Sequence, residues 1–157
     1  MGETRWLDAE EMRAWRGYLG LVRLLDHRLN RDLQEQSGLT LSDYEILVRL
    51  AEEPARRMRM SELAERAMIS KSRLSHQITR LADRGLTRRE RCPSDRRGSF
   101  AVLTDAGYAA LEAAAPGHAG SVRAHLIDVL NPEQVCALAE LSEAVVTRLD
   151  RTGRRRV

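Results

Sequence analysis

The chain has 157 residues, 43% hydrophobic and 31% charged, a balance typical of a globular protein and not of a disordered or fibrous one. It lacks the unbroken apolar run of a membrane helix, and residues 1–6 lack the apolar segment of a secretory signal, so we expect a cytoplasmic protein without a membrane partner. The formal net charge is +3, but residues 55–99 alone hold 13 Lys or Arg against 5 Asp or Glu. This basic middle third indicates a polyanionic partner.

The N-terminal third predicts two helices. Apolar side chains recur at helical intervals from Trp6 to about Gln36, which favours one long amphipathic helix. Ser37-Gly38 ends this helix, and Thr40 is a cap for a second one that runs to about Glu53. Tyr44 falls on the inner face of the second helix.

The spacing of the next two helices is that of a helix-turn-helix. Residues 56–60 form a short basic connector, after which Ser61 caps a brief helix. Ser70 caps a longer helix from Lys71 to Arg84, and Gly85 supplies its C-terminal stop. A short helix, a tight turn and a longer helix are the parts of this DNA-binding motif.

The longer helix has one apolar and one polar face. A polar helix face on its own is more often simply exposed to solvent. In a major groove, however, Arg can bond guanine bidentately and Gln can bond adenine. The basic hairpin that follows this helix favours DNA binding over simple solvation. We therefore take residues of this helix and its cap as candidate DNA contacts: Ser70, Lys71, Ser72, Arg73, Ser75, His76, Gln77 and Arg80.

A β-hairpin is predicted after this helix. Residues 86–91 and 99–103 are the predicted strands, around a loop at 92–98 that is rich in turn residues. Arg96 and Arg97 in the loop suit a narrow, A·T-rich minor groove. Asp95 is interpreted as fixing the geometry of the loop by pairing with one of these arginines.

Two helices are predicted after the hairpin. Thr104-Asp105 caps a helix that extends to about Leu130, with an irregularity expected at Pro116-Gly117. Asn131 and Gln134 then have the spacing of a capping box that opens a last helix. Its inward stripe is predicted to consist of Val135, Leu138, Leu141, Val145 and Leu149. The fold class is thus mainly α with a small β-hairpin wing.

The sequence resembles the MarR family of winged-helix transcriptional regulators. Three segments carry the resemblance, which spans residues 39–107: Leu39–Tyr44, Met60–Ala64 with Ser70–Ser75, and Gly85-Leu86 through Asp95–Ser99 to Leu103–Gly107. It implies a winged helix-turn-helix module at 39–103 between dimerisation helices at 1–38 and 104–157. It further implies a homodimer that binds a pseudo-palindromic duplex. We interpret this dimer as a repressor.

The resemblance also implies a small-molecule effector. Family members bind small ligands, often aromatic acids or phenols, between the dimer region and the module, and this weakens DNA binding. Trp15 and Tyr44 are the candidate ligand contacts here, and packing in a core or interface is the alternative for both.

Other function classes have less support. The chain lacks the GxGxxG, P-loop, HExxH and GxSxG motifs, so we predict no enzyme and no cofactor. His118 and His125 have no third ligand nearby in sequence, so no metal site is predicted. Two alternatives stay open: a DNA-binding module without ligand control, architectural or regulated by a partner protein, and a thiol-based redox sensor at Cys92, beside the basic wing.

Overall fold

The computed structural model describes residues 4–92 and 95–153, of which residues 95–97 and 151–153 are described by their backbone only. The helices of this part of the chain are α1 (Ala9–Ser37), α2 (Leu41–Ala51), α3 (Met60–Arg66), α4 (Lys71–Asp83), α5 (Asp105–Val122) and α6 (Pro132–Gly153). The strands are β1 (Arg57–Arg59), β2 (Thr87–Cys92) and β3 (Asp95–Leu103). None of these helices is long and apolar enough to cross a membrane.

The structure divides into two compact units, one up to residue 119 and one from residue 120 onward. The first unit therefore holds α1 and most of α5 together with the central helices and the sheet. This division differs from the three segments expected from the sequence, in which residues 1–38 and 104–157 flank the module.

Local capping explains where several helices begin. Asp8 and Glu11 form a capping box that starts α1 at Ala9, three residues later than the apolar pattern suggested. The Ser70 hydroxyl accepts from the Arg73 amide at 3.2 Å, which confirms the predicted cap of α4. Ser61, by contrast, lies inside α3, whose N-cap is Arg59 and has no side-chain cap, so that prediction is wrong.

The sheet has three antiparallel strands in the order β1-β3-β2. β1 corrects the prediction of a basic connector, since Arg57 pairs with Val102 and Arg59 with Phe100. Met58 between them is buried, as is its partner Ala101. One apolar residue between two arginines was too short a pattern to show a strand in the sequence.

The predicted hairpin is confirmed, but its second strand is longer than expected. β2 and β3 pair from Thr87 with Leu103 to Cys92 with Asp95, and the register shifts between Arg91 and Cys92. The backbone of residues 95–98 thus belongs to β3 and not to a loop. The wing is a two-stranded ribbon whose strands carry basic residues up to its tip.

Gly107 allows α5 to begin very close to the backbone that joins α4 to β2. A Cβ at this position would lie 2.0 Å from the carbonyl oxygen of Leu86, a distance that no side chain tolerates. The Thr104 hydroxyl caps the same turn by accepting from the Gly107 amide at 3.0 Å, and it donates to the Gly85 carbonyl at 2.7 Å. The threonine and glycine of the Leu-Thr-x-x-Gly segment therefore lock α5 onto the end of α4.

One hydrophobic core joins the helices of the first unit to the sheet. Its fully buried large side chains come from the loop before α2 and from α1, α2, α3 and α4: Leu33, Leu39, Ile46, Leu47, Leu50, Leu63, Leu74, Ile78 and Leu81. Because α3, β2 and the core cover one side of α4, its opposite side is held rigidly at the surface.

The part of the chain after the hairpin departs from the prediction in two ways. Pro116 stays inside α5, and the irregularity is instead a π-helical segment at Arg123–Ile127. The capping box of α6 is confirmed, with Asn131 and Gln134 each bonded to the backbone amide of the other. In the apolar stripe of α6, predicted to face inward, Val135 and Leu138 are half-buried, but Leu141 and Val145 are exposed in the single chain, at 66% and 58%.

Candidate nucleic-acid interface

The surface side of α4 presents most of the predicted DNA contacts. Ser70, Lys71, Ser72, Arg73 and His76 are all exposed. They lie opposite the buried face of the same helix, so a rigid row of cationic, imidazole and hydroxyl groups faces solvent. A helix that presents such a row can place hydrogen-bond donors against base edges in a major groove.

Gln77 is the exception, because it lies beneath the helix and not on this surface. Only 5% of Gln77 is exposed, and its Nε2 donates to Oδ1 of Asp43 at 3.2 Å. Arg80 also contacts that oxygen, through Nη2 at 2.8 Å, but keeps most of its side chain exposed. Gln77 is thus not placed with the other candidates, and its predicted contact with adenine does not fit this position.

Asp43 was not singled out by the sequence reasoning. It lies in the first turn of α2, which the Thr40 hydroxyl caps by accepting from the Asp43 amide at 3.0 Å. The carboxylate itself points to α4 and is almost fully buried. The signal that could have found it is its place on the inner face of α2, beside Ile46, Leu47 and Leu50.

The wing is bonded directly to α4. Nη2 of Arg89 on β2 donates to the Ser75 carbonyl at 2.8 Å and to the Ser75 hydroxyl at 2.7 Å. Ser75 is half-buried, and its hydroxyl oxygen is already engaged by the wing. Its position therefore favours a part in fixing the wing to the helix over a direct part in DNA contact.

The basic character of the wing continues on both strands. Arg88 and Arg91 on β2 are exposed, and Arg88 is paired with Glu90. The predicted minor-groove contacts Arg96 and Arg97 and the predicted orienting residue Asp95 lie in β3 by their backbone, and their side chains are outside the described residues.

Cys92 lies at the end of β2 and is 6% exposed. Nη2 of Arg59 approaches its Sγ at 3.3 Å, so the arginine near the thiol comes from β1 and not from the neighbouring residue in sequence. Reactive cysteine sensors are accessible to oxidants, and this thiol is covered. The burial counts against the redox alternative.

A second candidate site is a cleft between α2 and the C-terminal half of α5. It encloses about 280 Å³ and is lined by Leu41, Tyr44, Glu45, Val48, Arg49, Glu52 and His118. The rings of Tyr44 and His118 are in contact, with centroids 4.6 Å apart. Trp15, the other predicted ligand contact, does not line this cleft and stacks instead on Tyr18 along α1.

Burial affects the ionisable groups of the cleft. It raises the pKa of the Tyr44 phenol and lowers the pKa of the His118 imidazole, the latter partly offset by the Glu45 carboxylate. Among the described residues, Nε of Arg49 and Nδ1 of His118 are buried nitrogens with no hydrogen-bond partner. Two nitrogens in need of partners, beside an aromatic ring, are suited to a polar aromatic ligand.

Two helices expose large apolar side chains in the single chain. On α1 these are Trp15, Tyr18, Leu21, Val22 and Leu24. On α6 they are Leu141, Val145, Val146 and Leu149. Contiguous exposed apolar faces of this kind mark interaction surfaces.

Comparison with known proteins agrees with this architecture. The sequence model of the MarR family matches residues 39–99. AbsC, a MarR family transcriptional regulator from Streptomyces coelicolor, is 52% identical, and the match covers 94% of this chain and 99% of that one with a TM-score of 0.85. The chain belongs to the MarR family. Another MarR family regulator of S. coelicolor, Sco3205, was solved in complex with DNA; it is 50% identical over 92% of this chain and 90% of that one, with a TM-score of 0.86.

The resemblance stated from the sequence is therefore confirmed, as is the winged-helix fold. The transcriptional regulator HosA of Escherichia coli O111:H- is also similar, with 33% identity over 61% of this chain and 70% of that protein. This MarR family chain is a transcriptional regulator and not an enzyme. The segment that the family model matches runs from the loop before α2 into β3, and so contains the whole of α4.

Proposed function

We propose that the chain binds duplex DNA sequence-specifically, with α4 in the major groove. The observation that carries this proposal is the rigid polar face of α4, on which Lys71, Ser72, Arg73 and His76 are exposed while the opposite face is locked into the core. Lys71 and Ser70 at the helix N-terminus are suited to phosphates, and Arg73 and His76 to base edges. The similarity to a relative solved with DNA supports the same use of the helix.

The wing adds contacts in the adjacent minor groove. Arg96 and Arg97 are the residues for this contact, because a narrow A·T-rich groove has an enhanced negative potential that attracts arginine. Asp95 orients one of them. Since removal of a negative charge would by itself strengthen DNA binding, weaker binding by Asp95→Ala in a gel shift supports the orienting role and tighter binding contradicts it.

The binding unit is a homodimer that acts as a cytoplasmic repressor on a pseudo-palindromic operator. The exposed apolar faces of α1 and α6 support self-association, because a second copy would remove both from water. Two copies related by a two-fold axis present two α4 helices to successive major grooves. When this dimer is bound to its operator, it represses transcription by blocking the promoter.

A small aromatic ligand in the cleft between α2 and α5 releases the DNA. The ring pair of Tyr44 and His118 and the unpartnered nitrogen of Arg49 favour this over a DNA-binding module without ligand control. Differential scanning fluorimetry with benzoate, salicylate and phenol is the direct check. A melting temperature that rises for the wild-type chain but not for Tyr44→Ala supports the cleft, and one that rises for neither chain contradicts ligand control by this class of compound.

The DNA-binding proposal is tested by selecting duplexes from a random pool with the purified full chain. We expect enrichment of an inverted repeat, bound with a dissociation constant of about 10⁻⁸–10⁻¹¹ M and with a steep fall in affinity as salt rises. Absence of an enriched sequence, or an affinity independent of salt, would overturn the proposal.

A further inference from the structure

A buried carboxylate on α2 is bonded to two side chains of α4. Asp43 is 4% exposed, and its Oδ1 accepts from Nε2 of Gln77 at 3.2 Å and from Nη2 of Arg80 at 2.8 Å. One oxygen atom of α2 thus holds two side chains of the helix that carries the candidate DNA contacts.

Arg80 joins this buried group to the protein surface. A buried carboxylate is costly unless a cation and hydrogen bonds compensate it, and Arg80 supplies the charge while 62% of its own side chain stays exposed. Its planar guanidinium has five N–H donors, so a contact through one terminal nitrogen is compatible with a further bidentate contact to an acceptor outside the protein. Guanine O6 and N7, or a phosphate, provide such acceptors.

We propose that Asp43 is a positioning residue for DNA recognition, which holds the guanidinium of Arg80 in the orientation that contacts DNA. The inference rests on the proposed DNA binding and names a residue that does not itself touch DNA. An arginine already held in place loses little side-chain freedom on binding, and its planar group is aimed at one acceptor edge. Asp43 therefore raises both the affinity and the selectivity that Arg80 contributes.

The sign of the effect separates positioning from simple electrostatics. Asp43 is a negative charge close to a surface that faces a polyanion, so its removal would strengthen binding if charge alone mattered. If it positions Arg80, its removal weakens binding. Asp83, an exposed acid at the end of the same helix, is the matched control, because Asp83→Asn removes the same charge.

The experiment compares Asp43→Asn, Asp43→Ala, Arg80→Ala and the double variant Asp43→Asn/Arg80→Ala in the full chain. For each, affinity is measured for the duplex selected by the wild-type chain and for a scrambled duplex. The ratio of the two affinities does not depend on the fraction of folded protein, so partial unfolding of a variant cannot imitate the effect.

We expect Asp43→Asn to lower affinity for the selected duplex about three- to tenfold, and Asp43→Ala to lower it further, with little change on the scrambled duplex. Asp43→Asn should have no further effect when Arg80 is already alanine, whereas Asp83→Asn should bind as tightly as the wild type or more tightly.

An equal loss with and without Arg80, or tighter binding by Asp43→Asn, would overturn the positioning role. A wild-type chain that does not discriminate between the two duplexes would instead overturn the proposed DNA recognition.

Discussion

The helices α4 and α6 carry the same kind of apolar stripe but bury it differently. In α4, Leu74, Ile78 and Leu81 are at most 1% exposed, because α3, β2 and the core cover them within the chain. In α6, Leu141 and Val145 remain more than half exposed. Helical periodicity shows which face of a helix is apolar and must be buried. It does not show whether the residues that bury it belong to the same chain.

This difference separates two tasks in the regulator. The core of the first unit covers the apolar stripe of α4 within the chain and fixes its polar face. The stripe of α6 is incomplete in one copy, and we assign its cover to a second copy of the chain. Substitutions around α4 should then affect folding and base recognition, whereas substitutions in the exposed stripe of α6 should affect association.

The largest expected effect comes from Val145→Asp in α6. A charge in the proposed interface should separate the dimer and remove the gain from a second half-site, which is typically about 10²–10⁴ in affinity. Thr147→Asp adds the same charge to an exposed polar position of the same helix and should leave binding nearly unchanged. Gel shifts on the selected duplex measure both, and equal affinities for the two variants would place the interface elsewhere.

Alanine substitutions at two glycines of α5 compare a closely packed position, Gly107, with an open one, Gly120. Gly107→Ala should destabilise the chain by about 1–3 kcal/mol, because the new methyl group must displace the Leu86 carbonyl. Gly120→Ala in the same helix meets no atom within 4 Å and should stabilise it by about 0.5–1 kcal/mol. Urea unfolding of both variants checks the pair, and similar stabilities would contradict the close approach of α5 to Leu86.

On the exposed face of α4, Arg73 and Lys71 should behave differently. Arg73→Ala is expected to cost about 1–3 kcal/mol of binding and to relax preference at one base position of the operator. Lys71→Ala should weaken binding to all sequences and reduce the slope of log K against log salt by about one. Binding to a panel of single-base operator variants decides this, and a uniform loss for Arg73→Ala would make it a phosphate contact.

The smallest expected effect is the pH dependence contributed by His118. Because burial lowers the pKa of His118 in the folded chain, the unfolded chain binds more protons as pH falls through 6.5, and stability is lost on that side. Above this pH the contribution is fully retained. Urea midpoints at about pH 7.5 and about pH 5.5 should differ less for His118→Gln than for the wild type, and an unchanged difference would show that other groups dominate.

The sequence predicted well those elements that are specified by local chemistry. The helix α4 begins after Ser70 and ends before Gly85, which has the αL conformation, and α6 begins with the capping box of Asn131 and Gln134. Both results were expected, because these caps involve only neighbouring residues. The strand β1 was not predicted, because three residues with one apolar side chain carry no periodicity.

The candidate site was predicted less completely because part of it depends on contacts between helices. The outward positions of Arg73 and His76 follow from helical geometry alone. Gln77 is instead buried and bonded to Asp43, which is 34 residues away in sequence and on another helix. No spacing within α4 distinguishes an amide that faces solvent from one that meets a carboxylate of α2.

The molar mass in solution is the most direct test of the claim that two copies complete each other. Light scattering of the full chain, free and bound to the selected duplex, should give a protein mass of twice 17.8 kDa in both states. A protein mass of 17.8 kDa in both states would contradict the dimer and leave the exposed faces of α1 and α6 without their assigned partner.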